Sequence, residues 1–152
     1  MHRSNIFAFA LVFAVATIGF ASSSAAAPNP MAPIIVQPST VNWQPVKGMT
    51  GLNYAVLYGD PTKAGGQYAT RYKVPDGFKF PPHSHPQIEL VTVLSGTFLV
   101  GVGDKMDPAK MLTLRAGSFV EIPAGLHHYG MAKGETILEL HGVGPYVMTM
   151  VK

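Results

Sequence analysis

From residue 52 onward the chain is written in short alternating runs separated by glycine and proline. "LNYAVLYG" (52–59) ends at Gly-Asp-Pro, and "QYATRYKV" (67–74) ends at Pro-Asp-Gly. "IELVTVL" (88–94) reaches Ser-Gly, and "TFLVGVG" (97–103) reaches Asp-Lys. "LTL" (112–114) and "SFVEI" (118–122) lead to Arg-Ala-Gly and Pro-Ala-Gly, and "TILELHG" and "YVMTMV" close the chain. Period-two runs with this punctuation predict strands, and many short strands in succession predict a sandwich or a barrel. No amphipathic helical stretch and no internal repeat interrupts the pattern.

The N-terminus is of a different kind. A basic start (His2, Arg3) precedes the uncharged run "IFAFALVFAVATIGF" and then "ASSSAAAP". That order predicts a signal peptide over residues 1–26, with cleavage after Ala25 or Ala26. The alternative, an uncleaved anchor, has an apolar run shorter than the roughly 20 residues a span needs. The expected location is therefore secreted or periplasmic, with no membrane attachment after cleavage. There is no twin-arginine pair, so the expected route is export of the unfolded chain, with any metal acquired outside the cytoplasm. The net charge of +3 falls by one when Arg3 leaves. That balance is too weak and scattered for a nucleic-acid partner. The chain has no cysteine, so neither disulfides nor thiolate ligands are available.

Residues 27–50 carry Pro28, Pro30, Pro33, Pro38 and Pro45 and read as a Pro-rich arm. Ile34, Ile35, Val36 and Trp43 suit an arm that docks, with a short strand at 34–36; the alternative is a flexible linker. Residues 51–152 form the expected single domain.

Within "PPHSHPQIEL", His83, His85 and Glu89 share parity, so on an extended segment they point the same way. Imidazoles and a carboxylate buried together are costly unless a cation binds them. By itself this short pattern also fits solvated surface histidines. A second segment, "GSFVEIPAGLHHYGMA", follows at residues 117–132. The spacings are G-x5-H-x-H-x3-E-x6-G, from Gly77 through His83, His85 and Glu89 to Gly96, and G-x5-P-x-G-x2-H, from Gly117 through Pro123 and Gly125 to His128. The pair closely resembles the two motifs of the cupin superfamily, over roughly residues 68–143. The run "LYGDP…GFKFPPHSHP…VLSGTF…GD" is also loosely similar to the cupin module of a zinc-binding anti-sigma factor. The chain departs from the family where motif 2 often ends in Asn; here that residue is Ala132. This weakens any link to germin-type oxalate enzymes.

The resemblance implies an all-β fold, a double-stranded β-helix (jelly-roll) cupin barrel with the Pro-rich arm attached. It also implies a metal held by His83, His85, Glu89 and His128. That donor set suits Fe, Mn, Zn, Ni or Cu and disfavours Ca and Mg. His127 either supports the site from behind or lies on the surface, and a register slip would exchange it with His128. Most other carboxylates adjoin Gly or Pro and read as turn residues. Glu121 and Glu139 remain as catalytic candidates on strands, joined by His141, which shares the face of Glu139. That face is either solvent or cavity; Leu138 and Leu140 occupy the other. Tyr68 and Tyr72 read as core residues opposite a basic edge of Arg71 and Lys73.

The expected function is an exported metal-dependent enzyme, a dioxygenase-type oxidoreductase, acting on a small chelating organic substrate. The alternative is a non-catalytic cupin that binds a metal or small ligand as sensor or scavenger. A metal-free β-sandwich is a third possibility. Pairing through sheet edges makes a homodimer the expected assembly.

Overall fold

Two long strands carry the architecture. The structure, a computed structural model, describes residues 31–152, so the predicted signal peptide and residues 27–30 of the arm lie outside the described residues. Ile34–Lys152 form one unit. In chain order its strands are β1 (Gln44–Pro45), β2 (Asn53–Gly59), β3 (Gln67–Val74), β4 (Lys79–Ser84), β5 (Glu89–Val102), β6 (Leu112–Arg115), β7 (Phe119–Ile122), β8 (His128–Val143) and β9 (Thr149–Met150). Short 3-10 turns lie at Pro38–Thr40 and Pro108–Lys110. All pairings are antiparallel and belong to one sheet.

β5 has 14 residues and β8 has 16, and they pair from Leu90↔His141 to Val102↔His128. Each half of this ladder has its own partners. The early half of β5 pairs with β7, and the late half of β8 with β3. The late half of β5 pairs with β6, and the early half of β8 with β4. The sheet therefore curls into a jelly-roll barrel.

The bend has a local cause. The β5–β8 register shifts between Val93 and Ser95 and again between Ser95 and Thr97. Gly96 there has φ +78°, a conformation that side chains other than glycine's rarely adopt. A Cβ on Gly96 would also stand 2.4 Å from the Glu135 carbonyl oxygen and 2.8 Å from Thr136 Cα. Thr136, wholly buried, locks the corner: its hydroxyl accepts from Thr97 N (3.2 Å) and lies 3.0 Å from Thr97 O. Ser95-Gly96, which reads in the sequence as the end of a strand, is thus a bulge within one.

Burial follows the period-two pattern. Val91, Val93, Phe98 and Val100 of β5 pack inside with Val74 of β3, Ile122 of β7, Ala132, Leu138 and Leu140 of β8, and Leu52. Each Val, Leu, Ile or Phe among them contributes about 1.5–3 kcal/mol through burial.

Three expectations change. The early half of β8, "HYGMAKGE", lacks alternation because Gly130 makes room for Phe98: a Cβ there would sit 2.3 Å from the phenyl ring. Of "YVMTMV" only Thr149–Met150 pairs, with Ser84 and His83 of β4. Ile34–Val36 is not a strand, and Ile34 and Ile35 are exposed. The arm docks further along instead, where Gln44–Pro45 meets β2. There the Lys73 ammonium stands 4.8 Å from the Trp43 ring centroid, and Val46 and Met49 pack on the core.

Gly96→Ala is expected to destabilise the protein by about 2–4 kcal/mol, from positive-φ strain together with the clash at the corner. Urea unfolding of the variant beside the parent measures it, and a change below about 0.5 kcal/mol would contradict the corner's role.

Candidate metal centre

The histidines and the glutamate come from three strands and a bend. His83 is on β4, and its register partner across the sheet is His128, the first residue of β8. Their rings lie 4.2 Å apart. His85 follows the end of β4, the chain bends at Pro86–Gln87, and Glu89 opens β5. β4 and β5 are not neighbours in the sheet. The shared parity of His83, His85 and Glu89 is therefore not that of one continuous strand. The chain leaves one strand and enters another on the far side of β8, and both aim inward.

Glu89 and His128 lie near opposite ends of the β5–β8 ladder. If that ladder were flat, the 3.2–3.4 Å rise per residue would put them about 40 Å apart. In the folded protein Glu89 Oε2 is 3.4 Å from His128 Nε2. The corner at Gly96 folds the ladder back on itself and closes this distance.

All four side chains are buried. Each imidazole is tethered by its Nδ1 to a backbone carbonyl: His83 to Pro81 (2.6 Å), His85 to Val147 (2.8 Å) and His128 to Leu126 (3.0 Å). A carbonyl only accepts, so each Nδ1 carries the proton, and Nε2 of the neutral ring presents a lone pair. The three histidines bring ring nitrogens within 4.8 Å of one another, a group able to hold a metal ion. His85 Nε2 is buried without a hydrogen-bond partner, and lies 3.6 Å from Glu89 Oε1. An unpartnered buried acceptor is costly. A cation at the cluster would remove that cost, so the donor set fits a metal.

Electrostatics point the same way. Burial, reinforced by the neighbouring His128 and His85, pushes His83 down to about 4. For Glu89, burial works against ionisation. The His128 hydrogen bond, the His85 charge and the Tyr146 hydroxyl outweigh it and hold the carboxyl below its usual range. For His128, burial again opposes the charge, but Glu89 and the Leu126 carbonyl raise its pKa. Without metal, an ionised Glu89 thus leans on a His128 that favours its proton.

His83, Glu89 and His128 form part of the wall of a cavity of about 240 Å³, which His85 does not line. Most of the remaining wall is apolar, with Val91, Phe98, Ile122, Leu138 and Leu140 beside Tyr72, Tyr129 and Tyr146. Burial, then the Glu89 charge, raises the pKa of Tyr72 and Tyr146, so both hydroxyls stay protonated donors. Tyr146, which nothing in the sequence motifs singles out, donates to Glu89 Oε1 at 3.0 Å and stacks on His85 at 4.7 Å.

The three catalytic candidates lie elsewhere. Glu121, Glu139 and His141 do not line the cavity. Leu138 and Leu140 face inward, so alternation turns Glu139 and His141 outward, where Glu139 binds Arg71 Nε (2.6 Å) and His141 Nε2 (3.0 Å). Glu121 is exposed for the same reason, beside the inward Ile122. In this barrel, core and cavity share one face, so no second polar interior was available to them. His127 is also exposed, with Nδ1 2.6 Å from Asp104.

Residues 70–144 match a family model described as Cupin domain. Solved structures give the same fold. The polyketide cyclase RemF from Streptomyces resistomycificus aligns with a TM-score of 0.63 at 20% identity, covering 78% of this chain and 84% of that one. KdgF from Halomonas sp. aligns at 0.56 and 19% identity, covering 71% and 91%. The structure of Rhodobacter sphaeroides SigE in complex with the anti-sigma ChrR aligns at 0.53 and 23%, covering 70% and 51%. At these identities the likeness establishes the fold. No curated protein matches the sequence.

Two outcomes are expected. His83, kept neutral by the fold, has a folded pKa below its unfolded value of about 6.5. Its contribution to stability is therefore present above pH 6.5 and lost as pH falls towards 4, by roughly 3 kcal/mol in the metal-free protein. His128, with its raised pKa, acts in the opposite sense. Chemical denaturation across this window should show a shallower acid-side loss for His83→Gln than for the parent. Separately, Glu121→Gln, Glu139→Gln and His141→Ala should leave metal affinity within about twofold, as outward residues do; a larger loss by chelator competition would place them at the site after all.

Proposed function

The chain belongs to the cupin superfamily, and on that premise we propose that it is an exported, metal-dependent enzyme acting on a small chelating organic substrate. The observation that carries the proposal is the buried trio of imidazoles, each tethered at Nδ1, facing an ionised carboxylate at the wall of an apolar cavity. His83, His85, His128 and Glu89 would hold the metal. A bound transition ion would supply Lewis acidity and, if redox-active, oxygen chemistry of the dioxygenase type. Export would fill the site outside the cytoplasm, where intrinsic affinity favours copper and zinc over manganese and iron.

The protein's own groups define what can bind. The cavity lies just below the usual range of about 300–1,000 Å³ for small-molecule sites, which suits a compact ligand. Among the described residues, no lysine or arginine lines it. A multiply charged substrate would find no side-chain counter-charge there. A neutral or weakly acidic compound with adjacent oxygens fits better, with its carbon skeleton against Val91, Phe98, Leu138 and Leu140 and protonated tyrosine hydroxyls beside its oxygens.

One observation favours the second reading, a non-catalytic binder. Among the described residues, the only carboxylate lining the cavity is Glu89 itself, already engaged by Tyr146 and the histidines. Among the described residues, no second carboxylate lines the cavity for proton transfer.

Elemental analysis of protein from the exported fraction, beside His85→Ala and His128→Ala, tests the site. About one equivalent of a first-row divalent ion is expected, with both variants at least 100-fold weaker. Oxygen uptake with catechols, diketones and flavonols then separates the two readings. Tight ligand binding without turnover would favour the binder, and a metal-free parent that resists reconstitution would overturn both.

A further inference from the structure

The family match ends at residue 144, but the chain does not leave the site there. The following segment straps across the histidine cluster. Tyr146 N donates to Pro61 O (2.7 Å), and Val151 N donates to Pro82 O (3.0 Å). Thr149 and Met150 pair with Ser84 and His83. Between these anchors, Val147 O accepts a hydrogen bond from His85 Nδ1 (2.8 Å), and Met148 lines the cavity.

Tyr146 makes the most specific contacts in the strap. Its ring lies nearly parallel to His85, with centroids 4.7 Å apart and planes 20° apart. Tyr68 meets its edge at 6.0 Å. Its hydroxyl donates to Glu89 Oε1 (3.0 Å), while the other oxygen, Oε2, stands 3.4 Å from His128 Nε2. The hydroxyl thus occupies the carboxylate oxygen on the His85 side, Oε1, 3.6 Å from His85 Nε2, and leaves Oε2, facing His128, without a tyrosine partner. The face of the ring fixes the plane of His85, whose Nε2 has no hydrogen bond of its own.

We propose that Tyr146 is a positioning residue of the metal centre, supplied by a C-terminal strap outside both motifs. Its hydroxyl commits Glu89 to offer Oε2, and its ring sets the orientation of His85. Groups that orient metal ligands from behind are worth about 10–100-fold in metal affinity. The inference rests on the metal-binding reading of the site.

Tyr146→Phe removes the hydroxyl and keeps the ring; Tyr146→Leu removes both. Co(II) is the probe, with affinity from chelator competition, the visible spectrum of the Co(II) form, and thermal unfolding of the metal-free protein. Tyr146→Phe is expected to bind Co(II) about tenfold more weakly, with an altered spectrum and nearly unchanged metal-free unfolding. Tyr146→Leu is expected to be weaker still. If Tyr146→Phe stays within about twofold of the parent with the same spectrum, Tyr146 is a packing residue and the inference fails. A loss of affinity that merely tracks a loss of metal-free stability overturns it too. A parent chain that takes up no Co(II) would instead defeat the metal reading beneath it, a result the variants are not needed to recognise.

Discussion

The β5–β8 ladder, bent at one corner, is the constraint on which the rest of the molecule depends. Its two halves recruit different partner strands, and its two ends supply Glu89 and His128. Laid flat, those ends could not meet; folded at Gly96, they are in contact. Barrel closure and assembly of the site are thus one event. The corner is specified tightly because a single residue must satisfy both a positive φ and the absence of a Cβ against Thr136.

Closure places polar groups where burial alone would be unfavourable. Three imidazoles and a carboxylate sit inside an otherwise apolar barrel. The protein meets part of that cost itself, by donating each Nδ1 proton to a backbone carbonyl and the Tyr146 hydroxyl to Glu89. What it leaves unmet is concentrated at the Nε2 side, most plainly at His85. The imbalance has the sign and the donor chemistry that a divalent transition ion satisfies.

Much of this was legible in sequence, and the exceptions are physically consistent. Alternation located β2, β3, β6 and β7 nearly to the residue, because each is short and one face of each packs inside. It divided β5 at Ser95-Gly96, since a bulge and a turn use the same residues. It missed the early half of β8, where Gly130 was placed for a neighbour's ring and not for strand propensity. Within the cluster, the histidines and Glu89 stood out through spacing. Tyr146 did not: its partner Glu89 is 57 positions away, and no local pattern encodes that contact. Glu121, Glu139 and His141 were chosen for their chemistry, but alternation had already assigned them to one face, and only closure shows that this face is outside.

The sequence by itself determined the strand class, the spacing of the two motifs and the identity of four polar side chains that end up together. These are local properties, carried by period, turn chemistry and residue type. The tertiary structure decided which face of each strand became the interior, that core and cavity are the same face, and that a C-terminal strap covers the cluster. Those outcomes depend on closing the sheet, which joins residues distant along the chain. Periodicity defines two faces of a strand, but only the partners across the barrel make one of them the inside.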